Sequence, residues 1–167
     1  MSFEKHYTGI VGVAGFAGDG SKLTNVGSSA LDPRVLQVAT VTLTAANLIA
    51  MKTTPVSVLP APGAGKVLVI DTISFQFKPG GTQFTGGGAI TFQYHGTAIT
   101  PHSGSVPASV LQGATADVQY LGPFASAALD LQNAINAGLD VTNASAVFAA
   151  GNGTAIVTVW YALVTLG

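Results

Sequence analysis

The run of residues 155–166 limits the fold more than any other part of this 167-residue chain. One parity carries Ala155, Val157, Val159, Tyr161 and Leu163, the other Ile156, Trp160, Ala162 and Val164. Successive strand side chains point to opposite sides of a sheet, so a strand apolar on both parities needs cover on both. Its β-branched residues favour extended backbone, and the run is shorter than the ~20 apolar residues with which a helix crosses a bilayer. A strand is predicted whose first face meets a core and whose second meets a helix, the N-terminal segment or another subunit.

The rest of the chain after Val35 repeats this pattern in shorter pieces separated by turn chemistry. Strands are predicted over residues 36–42, 66–78, 90–94, 117–121, 139–148 and 154–166, with a brief extended piece at 56–59. Thr44 precedes good helix formers and marks a two-turn helix that Thr54-Pro55 ends, and a short helix is placed near 126–136. In the 66–78 run, Val67, Val69, Asp71, Ile73, Phe75 and Phe77 share the parity expected to be buried. Asp71 is the odd member: it needs a partner, or a bulge that turns it outward. Short strands with Gly- and Pro-rich turns indicate an all-β fold, an antiparallel β-sandwich of jelly-roll type or a β-barrel, with one or two short helices. Residues 1–34, rich in Gly and Ser, read as an extended N-terminal arm, and residues 35–167 as the sandwich domain.

Only 6 basic and 7 acidic residues are present, 8% of the chain, against about 25% in an average domain. With a net charge of -1 and mean hydropathy of +0.50, such a surface favours association over repulsion, which implies a large subunit interface. No basic cluster offers the footprint of a nucleic-acid binder. The stretch 10–17 makes a poor secretory core and nothing is long enough to span a membrane, so the reading is synthesis in a cytoplasm with no membrane partner. Without cysteine there is neither a disulfide framework nor a thiolate metal site.

Catalytic patterns fail one by one. Pro62-Gly63-Ala64-Gly65-Lys66-Val67 imitates the end of a phosphate-binding loop, but Pro60 stands where the earlier glycine belongs and Val67 where the magnesium-binding hydroxyl belongs; a tight turn feeding a strand is the simpler reading. Gly86-Gly87-Gly88 lacks the rest of a dinucleotide fingerprint. His6, His95 and His102 share no metal-ligand spacing, with His95 on an outward parity and His102 in a loop. Ser103 beside His102 has no orienting acid in view, and the carboxylates stand singly. No enzymatic activity, cofactor or metal is expected. Asn143-Ala144-Ser145 and Asn152-Gly153-Thr154 match the glycosylation pattern but read as turns, the second introducing the last strand.

Two stretches carry a resemblance. Gly15-Phe16-Ala17-Gly18-Asp19-Gly20-Ser21-Lys22-Leu23-Thr24-Asn25-Val26 resembles a motif of tail-fibre and related virion proteins of tailed phages. The longer stretch 43–97 contains Ala45-Ala46-Asn47-Leu48, Thr53-Thr54-Pro55-Val56, Ala61-Pro62-Gly63-Ala64-Gly65-Lys66 and Gly86-Gly87-Gly88-Ala89-Ile90-Thr91-Phe92-Gln93-Tyr94. It is similar to small phage virion proteins of the capsid decoration, or cement, type. That resemblance implies a homotrimer on the outer surface of a bacteriophage capsid, held by contact with the major capsid protein and made in the host bacterial cytoplasm.

Phe16, Leu23 and Val26 in the arm and Ile156, Trp160 and Val164 on the last strand are the expected interface residues. A phage fibre or receptor-binding component is the first alternative. A carbohydrate-binding jelly roll using Tyr94, Trp160 or Tyr161 as stacking platforms is the second.

Overall fold

The computed structural model describes residues 36–122, 131–143 and 145–166. The arm, with Phe16, Leu23 and Val26, lies outside the described residues. So do residues 126–130 of the helix expected near 126–136, while the described part, 131–136, holds one 3-10 turn, Gln132–Ala134.

Local sequence sets the elements in order. Strand β1 (Gln37–Leu43) turns Ala39, Val41 and Leu43 inward. Thr44 then caps helix α1 (Ala45–Ala50): its hydroxyl accepts from the Asn47 amide at 3.2 Å while the Asn47 side chain accepts from the Thr44 amide at 2.9 Å. This reciprocal cap satisfies two amide donors that a helix start leaves open. Pro55 bars helix from the residue before it, and β2 (Val56–Leu59) follows. The segment that imitates a phosphate loop is a turn closed by the Lys66 amide on the Gly63 carbonyl, 3.2 Å, and it feeds β3 (Lys66–Lys78).

Next come β4 (Thr85–Gly86), β5 (Ile90–Tyr94), α2 (Ala108–Gln112), β6 (Asp117–Leu121), β7 (Leu139–Asn143), β8 (Phe148–Ala149) and β9 (Thr154–Thr165). The single strand expected over 139–148 is thus two. Asn143 ends β7 by accepting the Ser145 amide on its side chain at 3.3 Å, an Asx turn that diverts the chain from the ladder. Helix α2 was not expected. It follows Pro107 and has no side-chain cap.

The chain is mostly β, with antiparallel sheets packed together and two short helices, and no closed barrel forms among the described residues. One sheet has the order β1-β9-β3-β6, the second β2-β7-β5, and β4-β8 is a small ribbon. Pairing is nested: β1 with β9, β2 with β7, β3 with β6, and Ile90 of β5 with Val106 through an isolated antiparallel bridge. A long antiparallel ribbon rolled up on itself gives this order, which is the double-sheet jelly roll with its fourth rung reduced to one bridge.

The core fills the space between the two larger sheets with Val157, Val159, Ile73, Phe75 and Phe77 from one side and Phe92, Tyr94, Leu139 and Val141 from the other. Phe84 meets Phe77 and Phe148 edge to face at centroid distances of 6.1 and 6.0 Å. The turn before β9 lies against these rings. A Cβ on Gly151 (φ +86°) would stand 2.3 Å from Phe84, and one on Gly153 2.7 Å from Phe77, so close approach as well as backbone conformation requires glycine there.

One correction concerns β3. Ile70 pairs with Tyr161 and Thr72 with Trp160, so Asp71 has no opposite number and forms a β-bulge. Of the two outcomes open to Asp71, the bulge is the one realised. It reverses the parity: the inward set is Leu68 and Ile70 before it, and Ile73, Phe75 and Phe77 after it, while Val69 is exposed and Val67, at the start of the strand, is buried as expected. An extra residue shifts every later side chain to the other face.

Candidate functional site

The outer face of the four-stranded sheet is built by register. Val38, Trp160 and Thr72 form one cross-strand row; Thr40, Thr158, Ser74 and Tyr120 form the next; Thr42, Ile156, Gln76 and Val118 form a third. Towards the other end Ala162 lies beside Val69, and Val164 is exposed beside Val67, which is itself buried. Through these rows no side chain is charged. Thr40 and Thr158 bring their hydroxyls to 3.3 Å, a neutral contact that leaves the surface without a strongly hydrated group.

The face mixes exposed aliphatic and aromatic side chains with threonine, serine and glutamine. Tyr120 is 69% exposed, Val38 57%, Ile156 37% and Val164 36%, each large for an aliphatic or aromatic residue. At strand spacings of ~4.8 Å and ~3.3 Å per residue the four strands present about 600 Å². The whole face, polar and apolar side chains together, approaches the ~800 Å² per partner of a standard protein interface. Ile156, Trp160 and Val164, expected at an interface, share this face, with Trp160 half-buried. The inner parity of β9 is covered by the core, while on the outer one Ile156 and Val164 are exposed among the described residues.

Val38, Val118 and Tyr120 belong to the same surface and were missed. Their signal was present but ambiguous, because alternation in β6 does not say which parity faces in. Here Leu121 faces in opposite Ile73, with Asp117 and Gln119 on its side.

A second feature lies on the other sheet. Asp140 sits in β7 between Ser57 of β2 and Gln93 of β5. His95, just beyond β5, is held by its own amide on the Gly138 carbonyl at 2.8 Å. Its Nδ1 lies 2.6 Å from Asp140 Oδ2. The His95 side chain is 74% exposed and that of Asp140 only 6%. The pair borders a depression of about 460 Å³ whose walls include Ser57, Leu59, Asn133, Ile135 and Asn136. Nothing local in the sequence joins residues 95 and 140; only the β5-β7 register does.

The other candidates have structural places. His102 is in a loop, as expected, and is buried; burial holds its pKa below the usual histidine value, opposed by a Gly122 backbone hydrogen bond and the charge of Asp71. Tyr94 is fully buried and donates to the Leu68 carbonyl at 2.6 Å, which removes it as a stacking platform. Tyr161 faces inward beside Ile70 and packs against the core. Asn152 binds the 79–82 turn through the Thr82 amide at 2.8 Å.

No group of three or more His, Asp or Glu placed to hold a metal occurs among the described residues, and no helix there is long and apolar enough to cross a membrane. No model of a known protein family matches the chain, and no curated protein matches it as a relative.

Proposed function

We propose that this chain is a non-enzymatic structural protein that acts by burying sheet surface: a homotrimeric decoration protein that stabilises the outside of a bacteriophage capsid. The observation that carries the self-associating part is the set of exposed apolar side chains, Val38, Ile156, Val118 and Tyr120, on the outer face of the β1-β9-β3-β6 sheet, in cross-strand rows that hold no charged side chain. Copies brought together along these rows set neutral side chains against each other, so the hydrophobic gain of roughly 25 cal/mol per Å² is not offset by burying charge within them.

The capsid and its major capsid protein enter through the resemblance of residues 15–26 and 43–97 to phage virion proteins. A jelly roll is compatible with that role without specifying it, since the fold hosts capsid and lectin domains alike.

Sedimentation equilibrium at micromolar concentration, followed by a density map of the intact particle, tests the proposal. A trimer mass and density distributed over the shell are the expected results. A monodisperse monomer removes self-association. Density confined to the tail would favour the fibre reading that the Gly18-Asp19-Gly20-Ser21 motif supports.

A further inference from the structure

We propose that the depression beside His95 and Asp140 binds a neutral polyhydroxylated ligand, a short saccharide, independently of the outer sheet face.

Asp140 is a buried carboxylate, and a buried charge needs a partner. His95 supplies it through Nδ1, and that contact fixes the ring and its tautomer: the proton faces Asp140, and Nε2 is left to face a ligand. An exposed imidazole oriented by a buried acid is a preorganised hydrogen-bonding group, unlike a freely rotating surface histidine.

The opposite wall is fixed as well. Asn136 adopts φ +57°, a left-handed conformation uncommon outside glycine. Its amide donates to the Lys66 carbonyl at 2.8 Å, and its side-chain oxygen accepts from the Gly63 amide at 2.9 Å. The side-chain oxygen being committed, the NH2 group is what Asn136 can offer. Backbone held in a sparsely populated region tends to occur where a site needs its side chain in one place.

The lining chooses among ligand classes. Among the described residues Asp140 is the sole carboxylate of the lining and no lysine or arginine contributes, so an anion finds no counter-charge there and a cation meets a carboxylate already engaged. Ser57, Asn133 and Asn136 add a hydroxyl and two amides to the imidazole, while Ile135 gives an apolar patch at the rim. Donors and acceptors of both kinds beside a modest apolar wall match a sugar's hydroxyls and its C–H face. The volume falls within the ~300–1,000 Å³ of small-molecule sites. With no aromatic platform among the described lining residues, affinity in about the millimolar range is expected.

The test is a backbone and side-chain NMR titration of the full-length protein with glucose, galactose, mannose, N-acetylglucosamine and lactose at millimolar concentrations. At least one should shift the resonances of His95, Ser57, Asn133 and Asn136 saturably. Asn133→Ala, which removes an exposed side chain, and His95→Gln should each weaken that sugar about fivefold, the loss of one hydrogen bond. Trp160→Ala should leave it unchanged. Silence from all five sugars, shifts confined to the Trp160 face, or affinity that survives both substitutions with the spectrum otherwise intact would overturn the site. The mass of the assembly reads the outer face separately, so either proposal can fail alone.

Discussion

The Tyr94 hydroxyl donates to the Leu68 carbonyl oxygen at 2.6 Å, which joins β5 of one sheet to β3 of the other through the middle of an apolar core. Hydrophobic packing between sheets is non-directional; this bond is not, and it fixes how the sheets sit on each other. Burial pushes the phenol pKa up to about 12, with a backbone hydrogen bond to Ile70 pulling the other way.

Tyr94→Phe leaves the Leu68 carbonyl without that donor and should cost about 1–3 kcal/mol, read from the urea midpoint. Burial of the phenol has a pH signature as well. In the unfolded chain the phenol ionises near 10, whereas in the folded chain it holds its proton to about 12. The unfolded state therefore binds fewer protons between these values, and stability, unaffected below pH 10, falls as pH rises from 10 to 12. In Tyr94→Phe this part of the alkaline decline should vanish. An unchanged alkaline profile would show that Tyr94 does not stay protonated in the fold.

Deletion of Asp71 gives a sharper test of the bulge. Removing it lets Ile70 and Thr72 follow each other as Tyr161 and Trp160 do on β9, and every inward residue of β3 keeps its face. Stability should change by about 1 kcal/mol or less, the range of exposed-site changes. Deletion of Ser74 should behave differently. The strand would absorb it by using Asp71 in the ladder, which puts Thr72 inward and expels the fully buried Ile73, at a cost of at least ~2–4 kcal/mol. Urea midpoints of the two deletions compared side by side decide; equal losses would mean that Asp71 is not the extra residue.

The two regions differ in how legible they were. β3 could be read to its last residue because alternation over 13 residues outweighs local noise, and α1 because Thr44 and Asn47 form a complete cap. The bulge was one of two readings forced by a carboxylate on an apolar parity. β4 and β8, at two residues each, have no period to detect, and α2 begins at Pro107 without a capping side chain. On the outer face, Ile156, Trp160 and Val164 followed from one strand's composition. Val38, Val118 and Tyr120 depend on register, as does the meeting of His95 and Asp140 across 45 residues, and register is a property of the assembled sheet.

If the outer face is the self-association surface, a charge placed there should separate the copies while leaving each one folded. Ile156→Lys is suited to this because the residue is exposed and neighbours only Thr42 and Gln76 across the strands. The folded unit should lose no more than about 1 kcal/mol, while desolvating an unpaired ammonium at the interface costs several kcal/mol. The sedimentation mass should drop to that of the monomer. A trimer that persists in Ile156→Lys, and again in Val118→Lys, would move the interface elsewhere.

His102 supplies an acid-side prediction. Burial lowers its pKa in the fold, so between that value and the ordinary ~6.5 of the unfolded chain the unfolded state binds more protons. Stability is then unaffected above the ordinary histidine range and declines as pH falls through and below it. His102→Asn takes away the titrating group and should flatten this part of the profile, even if the variant is less stable at every pH. The comparison is the slope of unfolding free energy between pH 8 and pH 5 in the two proteins, with the His102 ring proton followed by NMR to place its titration. Asp71, whose charge favours the protonated ring, provides the second arm: Asp71→Asn should lower the His102 titration further and steepen the acid decline. A His102 that titrates at or above the ordinary value would overturn both expectations.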